Sequence, residues 1–134
     1  GTTTVVATAT KALQDQLATK DLPYLQQHLG VPFEWAVLKG RSNYICMQRV
    51  REVQDKATGQ LELEEFAGTT KVEINRLVEW SGNTATGDQA SLTWAPSDRA
   101  WQAVSVGSDE CPGASKCPMG GVCFGEAARE RGGR

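Results

Sequence analysis

The chain has one histidine, no two cysteines nearer than six positions, and no apolar run of membrane-spanning length. Each shortage excludes something. His28, on the same helical face as Leu25 and Leu29, reads as a packed or surface side chain rather than a metal ligand. The lack of a close cysteine pair counts against a zinc knuckle, whose turn presents two sulfurs two to four residues apart to one ion. A large excess of either charge is lacking too. The formal net charge is −2, so no global basic field announces nucleic acid. The opening Gly-Thr-Thr-Thr-Val-Val-Ala-Thr has neither a basic stretch nor a long apolar one, so it is not expected to act as a secretory signal. No membrane partner and a cytoplasmic location follow as expectations, and paired disulfides lose their usual setting.

What is present is a run of thiols. Cys111, Cys117 and Cys123 stand with five residues between neighbours, in a stretch rich in Gly and Pro, and Cys46 stands alone upstream. Disulfides, a zinc site and an iron–sulfur cluster all compete for these thiols. A cluster tolerates wider spacing than zinc, because its ligands reach different iron corners from different directions. Pro112 and Pro118 stiffen the loop, and its glycines let amides approach sulfur. Spacing alone favours the cluster and leaves zinc open.

With 134 residues the chain fits one domain or a piece of a larger one, and four Trp allow a core. Thr3 to Ala7 reads as a short buried parallel strand that turns into a helix capped by Thr10, with Leu13 and Leu17 as its stripe. A second helix is expected with Asp21 as cap, Pro23 in its first turn, Leu22, Leu25 and Leu29 facing inward, and Gly30 as its end. Phe33 to Leu38 reads as another strand. Asn43 is expected to cap a helix from Tyr44 to about Gln54, with Cys46 in its first turn, near the positive end of the helix dipole. Thr70 and Glu73 have capping-box spacing for a helix ending near Trp80. Ser97 starts a short helix through Trp101, and a last helix runs from Val122 through Arg131. Lys39, Arg41, Arg49 and Arg51 form a basic run with no acid among them. By itself such a run reads as a solvated helix face. Glu62, Glu64 and Glu65 read as a solvated edge rather than a metal site.

The segment Lys39-Gly40-Arg41-Ser42-Asn43-Tyr44-Ile45-Cys46 resembles the first cluster-ligand motif of the iron–sulfur DNA helicases of the XPD/DinG type, and the bacterial DinG branch most closely. Val5 to Leu17 is similar to that branch's motif Ia, and the Cys111, Cys117, Cys123 run matches its other three ligands in order and approximate spacing. The resemblance spans nearly the whole chain and ranks a cluster above zinc. It implies an α/β fragment of a RecA-like helicase domain 1 (residues 1–38) carrying an inserted, mostly helical iron–sulfur domain (39–134).

The same resemblance implies a [4Fe–4S] cluster on Cys46, Cys111, Cys117 and Cys123. It also implies 5′ to 3′ unwinding of forked or structured duplex DNA around a single strand, driven by ATP and Mg²⁺ in the intact enzyme. The phosphate-binding Gly-x-Gly-Lys-Thr/Ser loop and the Asp-Glu-Ala-His box of such helicases are not in this sequence, so the chain alone is not expected to hydrolyse ATP and needs the remainder of the motor. Thr8, Thr10 and Lys11, at the strand-to-helix turn, and Lys39 and Arg41, beside the cluster motif, are the expected holders of DNA phosphates. The plainer reading has Thr10 only capping and Thr8 packing. Tyr44 is expected to shield a cluster, and Trp80, Trp94 and Trp101 to be core. The competing class is a zinc-binding interaction module with no helicase role.

Overall fold

A computed structural model describes residues 2–58 and 68–133, and Glu62, Glu64 and Glu65 lie outside them. The chain divides into two compact units, Gly1–Val37 and Leu38–Arg134.

The first unit holds a helical run interrupted by one wider turn. Thr10 closes its start, the hydroxyl accepting the Leu13 amide at 3.2 Å. Helix α1 (Lys11–Gln16) passes through one π turn (Leu17–Asp21) into α2 (Leu22–His28). Proline explains the bulge. Pro23 has no amide to donate, and its ring would strike a carbonyl one turn back in a regular helix. Widening the turn, with the Leu22 amide reaching Leu17, removes that conflict. Asp21 therefore caps nothing. It lies inside the run in helical geometry, and Gln16 Nε2 donates to it at 3.5 Å. The run ends at Gly30, φ 67°. His28 stacks on Tyr24 at 4.1 Å on the outside.

Two further expectations for this unit fail. Leu25 and Leu29 are exposed rather than inward-facing. The segments 3–7 and 33–38 form no strand ladder among the described residues. Branched and aromatic residues favour an extended backbone, yet a strand exists only when a neighbour accepts its hydrogen bonds. Val5, foreseen as buried, is 85% exposed. The described chain is thus mostly helical, without the α/β layer foreseen for residues 1–38.

The second unit builds the core. Helices α3 (Met47–Thr58), α4 (Gly68–Ser81) and α5 (Asp98–Ala103) bury Ile45, Val50, Ile74, Leu77, Ala100, Trp101 and Val104 together. On α4 the buried positions Thr70, Ile74, Leu77 and Ser81 recur at helical spacing, so one stripe meets the core. Burying a side chain such as Leu77 contributes about 1.5–3 kcal/mol. Trp80 and Trp94 pack against this cluster, and the Arg76 guanidinium lies 4.0 Å over the Trp94 ring. The three tryptophans are structural, as expected. Ser97 caps α5 through the Ala100 amide at 3.3 Å. Thr70 and Glu73 form no capping box, because Thr70 lies within α4 and the Glu73 carboxylate accepts from Ser97 Oγ at 2.6 Å and Ser97 N at 3.2 Å. The last helix is α6 (Phe124–Gly132).

Candidate metal centre

Cys46 is set by a short segment that lies before α3. A 3-10 turn (Arg41–Asn43) is followed by Tyr44 in extended geometry, φ −110° and ψ 143°. Asn43 is not the cap of α3. Its side chain turns back to donate to the Gly40 carbonyl at 3.2 Å, and the helix begins three residues later than expected. Two backbone bonds fix the segment to the core: Ile45 donates to Gly87 at 2.8 Å and Cys46 to Val104 at 2.7 Å. The Trp101 indole adds a third, donating to the Ser42 carbonyl at 2.7 Å. Cys46 so comes to stand just before α3, and its carbonyl accepts the first helical bond from Val50 at 3.0 Å.

Burial pushes the Cys46 thiol above its ordinary pKa of 9.0. The Arg49 and Gln48 amides at the start of α3 act against burial, while the neighbouring Cys117 and Cys123 add to it. Without a cation the thiol is therefore favoured in its neutral form. A bound positive centre would reverse that preference and release the proton.

The other three cysteines follow from tight turns between α5 and α6. Cys111 donates to Gly107 at 3.2 Å, Cys117 to Gly113 at 3.0 Å, and Gly120 to Cys117 at 3.0 Å. Gly113, at φ 92°, occupies a conformation that L side chains rarely adopt. Gly120 is required for another reason: a methyl group there would collide with the Ala114 carbonyl. Cys123 ends the loop as the N-cap of α6, its carbonyl accepting from Ala127 at 3.1 Å.

All four cysteines are free, half-buried and face one pocket, whose other walls include Arg41, Tyr44, Ile45, Met47, Gln48 and Met119. Among the described residues no three His, Cys, Asp or Glu side chains gather as they would around a single metal ion. The four thiols thus line one largely apolar pocket and form the candidate donor set of the chain. Gln48 also lines this pocket, and its buried Oε1 has no hydrogen-bond partner.

The basic run has another character in three dimensions. Lys39 Nζ lies 2.8 Å from Asp88 Oδ2, with its side chain only 8% exposed. Arg41 meets Glu126 at 2.9 Å, and Arg49 meets Glu110 at 3.0 Å. Sequence proximity hid these partners, because every one of the three acids lies far along the chain. Tyr44, 5% exposed, is buried at the pocket wall. Thr8, Thr10 and Lys11 belong to the first unit, where Thr10 is the helix cap, Thr8 is half-buried and Lys11 is exposed.

No family model and no solved structure matches the chain. Curated relatives do. The chain is 39% identical to the ATP-dependent helicase DinG of Mycobacterium tuberculosis (strain H37Rv), over 93% of its own length and 20% of that protein. It is 38% identical to the ATP-dependent DNA helicase YoaA of Escherichia coli K12, over 95% of its length and 19% of that protein. A 3'-5' exonuclease DinG of Bacillus subtilis is 34% identical over 66% of this chain and 9% of its own. By sequence the chain belongs to the DinG and YoaA helicase family, as a segment spanning about a fifth of the length of these helicases.

Proposed function

We propose that this segment is the [4Fe–4S]-binding part of an ATP-dependent DNA helicase, with Cys46, Cys111, Cys117 and Cys123 as the four ligands. The observation that carries the reading is the gathering of all four thiols on one pocket, in a chain similar to DinG and YoaA over nearly its whole length. The cluster would act as a staple, joining a thirteen-residue thiol loop of turns and glycines to the start of α3.

The rest of the motor belongs to the same proposal. Residues 1–38 would complete a RecA-like domain 1 as its motif Ia region, with ATP and Mg²⁺ bound elsewhere in the intact enzyme. The substrate would be single-stranded DNA at a fork or structured duplex, unwound 5′ to 3′. Thr8, Thr10 and Lys11 would meet backbone phosphates. Lys39 and Arg41 would join them only by giving up Asp88 and Glu126.

Iron and acid-labile sulfide analysis of the anaerobically purified intact protein tests the centre. Near-equal iron and sulfide, at about four of each per chain, is the expected result for a cube. Colourless protein with one zinc per chain would replace this reading by the zinc-binding interaction module.

A further inference from the structure

Two ion pairs connect the same short segment to the two ends of the cysteine loop. Arg41, five residues before Cys46, meets Glu126, three residues after Cys123, at 2.9 Å. Arg49, three residues after Cys46, meets Glu110, the residue immediately before Cys111, at 3.0 Å. Glu110 and Glu126 do not line the thiol pocket, so neither acid acts on a bound centre by touching it. We infer that these pairs form a two-ended electrostatic clasp that assembles the four-thiol set before any metal is bound, making Arg41, Arg49, Glu110 and Glu126 positioning residues of the centre. The inference rests on the assignment of the four cysteines as ligands.

The clasp answers a physical difficulty of the loop. The 107–123 segment is held mainly by local turns, so chain entropy favours its opening. Joining its two ends to the rigid edge of α3 confines it at little cost, because the edge is already fixed to the core by the Ile45 and Cys46 amides. The two pairs are not equal. The Arg41 and Glu126 side chains are 14% and 26% exposed, so solvent screens them weakly. The Arg49 and Glu110 side chains are 40% and 55% exposed, which leaves that pair the weaker and more salt-sensitive closure. Arg41 is also placed at the thiols. A side chain at buried Gly125 would meet both Cys123 Sγ, at 3.8 Å, and the Arg41 guanidinium, at 3.9 Å.

The test is read on metal-free protein. The intact protein, stripped of iron by a chelator and fully reduced, is treated with a limiting amount of diamide. Disulfides between Cys46 and the loop cysteines are then mapped by mass spectrometry over time. Wild type is expected to cross-link faster than the Glu110→Gln/Glu126→Gln double variant by about fivefold, with Glu126→Gln causing most of the loss. Salt at about 0.5 M should slow the wild type by the smaller share that the exposed Arg49–Glu110 pair contributes, while changing the variant little. Equal rates in wild type and variant, or a wild-type rate indifferent to salt, would overturn the clasp. The salt arm needs no substitution, so a poorly folding variant cannot obscure the outcome. Failure of wild type to take up iron and sulfide would instead sink the cluster assignment, which the cross-linking does not measure.

Discussion

Cys46 and Cys123 stand in equivalent positions. Each is the last residue before a helix, α3 or α6, and its carbonyl takes the first helical bond, from Val50 or Ala127. A helix start carries amides with no intrahelical partner, and both cysteines stand beside such amides. Replacing either by Ser is expected to remove the iron and sulfide measured in purified protein. The far-UV dichroism should be retained, because Ile45, Ile74, Leu77 and Val104 hold the core without the thiols. Full iron content in either variant would place that cysteine outside the ligand set.

The neighbouring glycines Gly120 and Gly121 offer a sharper contrast. A methyl group on Gly120 would run into the Ala114 carbonyl, whereas one on Gly121 would meet nothing within 4 Å. Gly120→Ala should force the turn between Cys117 and Cys123 apart and reduce iron incorporation severely. Gly121→Ala should incorporate iron at the wild-type level. Parallel loss in both would mean that the close approach at Gly120 does not control the loop.

Glu73 and Ser97 lead to a stability prediction independent of any metal. Ser97 caps α5 and also donates its hydroxyl to the Glu73 carboxylate at 2.6 Å, joining α4 to the start of α5. Ser97→Ala removes both interactions and should lower unfolding stability by about 1–2 kcal/mol, the range for a lost cap. Urea titration of the metal-free protein measures it, and an unchanged midpoint would show that the pair is only a surface contact.

Local chemistry was legible in the sequence, and long-range pairing was not. Thr10 and Ser97 announced their caps because a cap depends on a hydroxyl and amides two or three residues away. The start of α3 was misplaced because Asn43 could either accept amides as a helix cap or donate to the Gly40 carbonyl, and it donates. Glu73 had the spacing of a capping box, yet its partner was Ser97, twenty-four residues on. The strands expected at 3–7 and 33–38 were read from residue type, whereas a strand also needs a neighbour that residue type does not supply. The same limit hid the acids. Nothing near Lys39, Arg41 or Arg49 in the sequence pointed to Asp88, Glu126 or Glu110.

Lys11 and Lys39 separate two kinds of lysine that the sequence had grouped together. Lys39 is nearly buried and paired with Asp88 at 2.8 Å, and a phosphate would have to displace that carboxylate and desolvate the ammonium again. Lys11 lies exposed at the start of α1. On single-stranded DNA each lost phosphate contact lowers the slope of log affinity against log salt by about 0.7. Lys11→Ala in the intact protein is therefore expected to reduce that slope by roughly this amount. Lys39→Ala should leave the slope unchanged and instead lower unfolding stability, because Asp88 loses its cation. Filter binding across a salt series decides between them. A reduced slope for Lys39→Ala with normal stability would show that the Lys39–Asp88 pair opens to the strand.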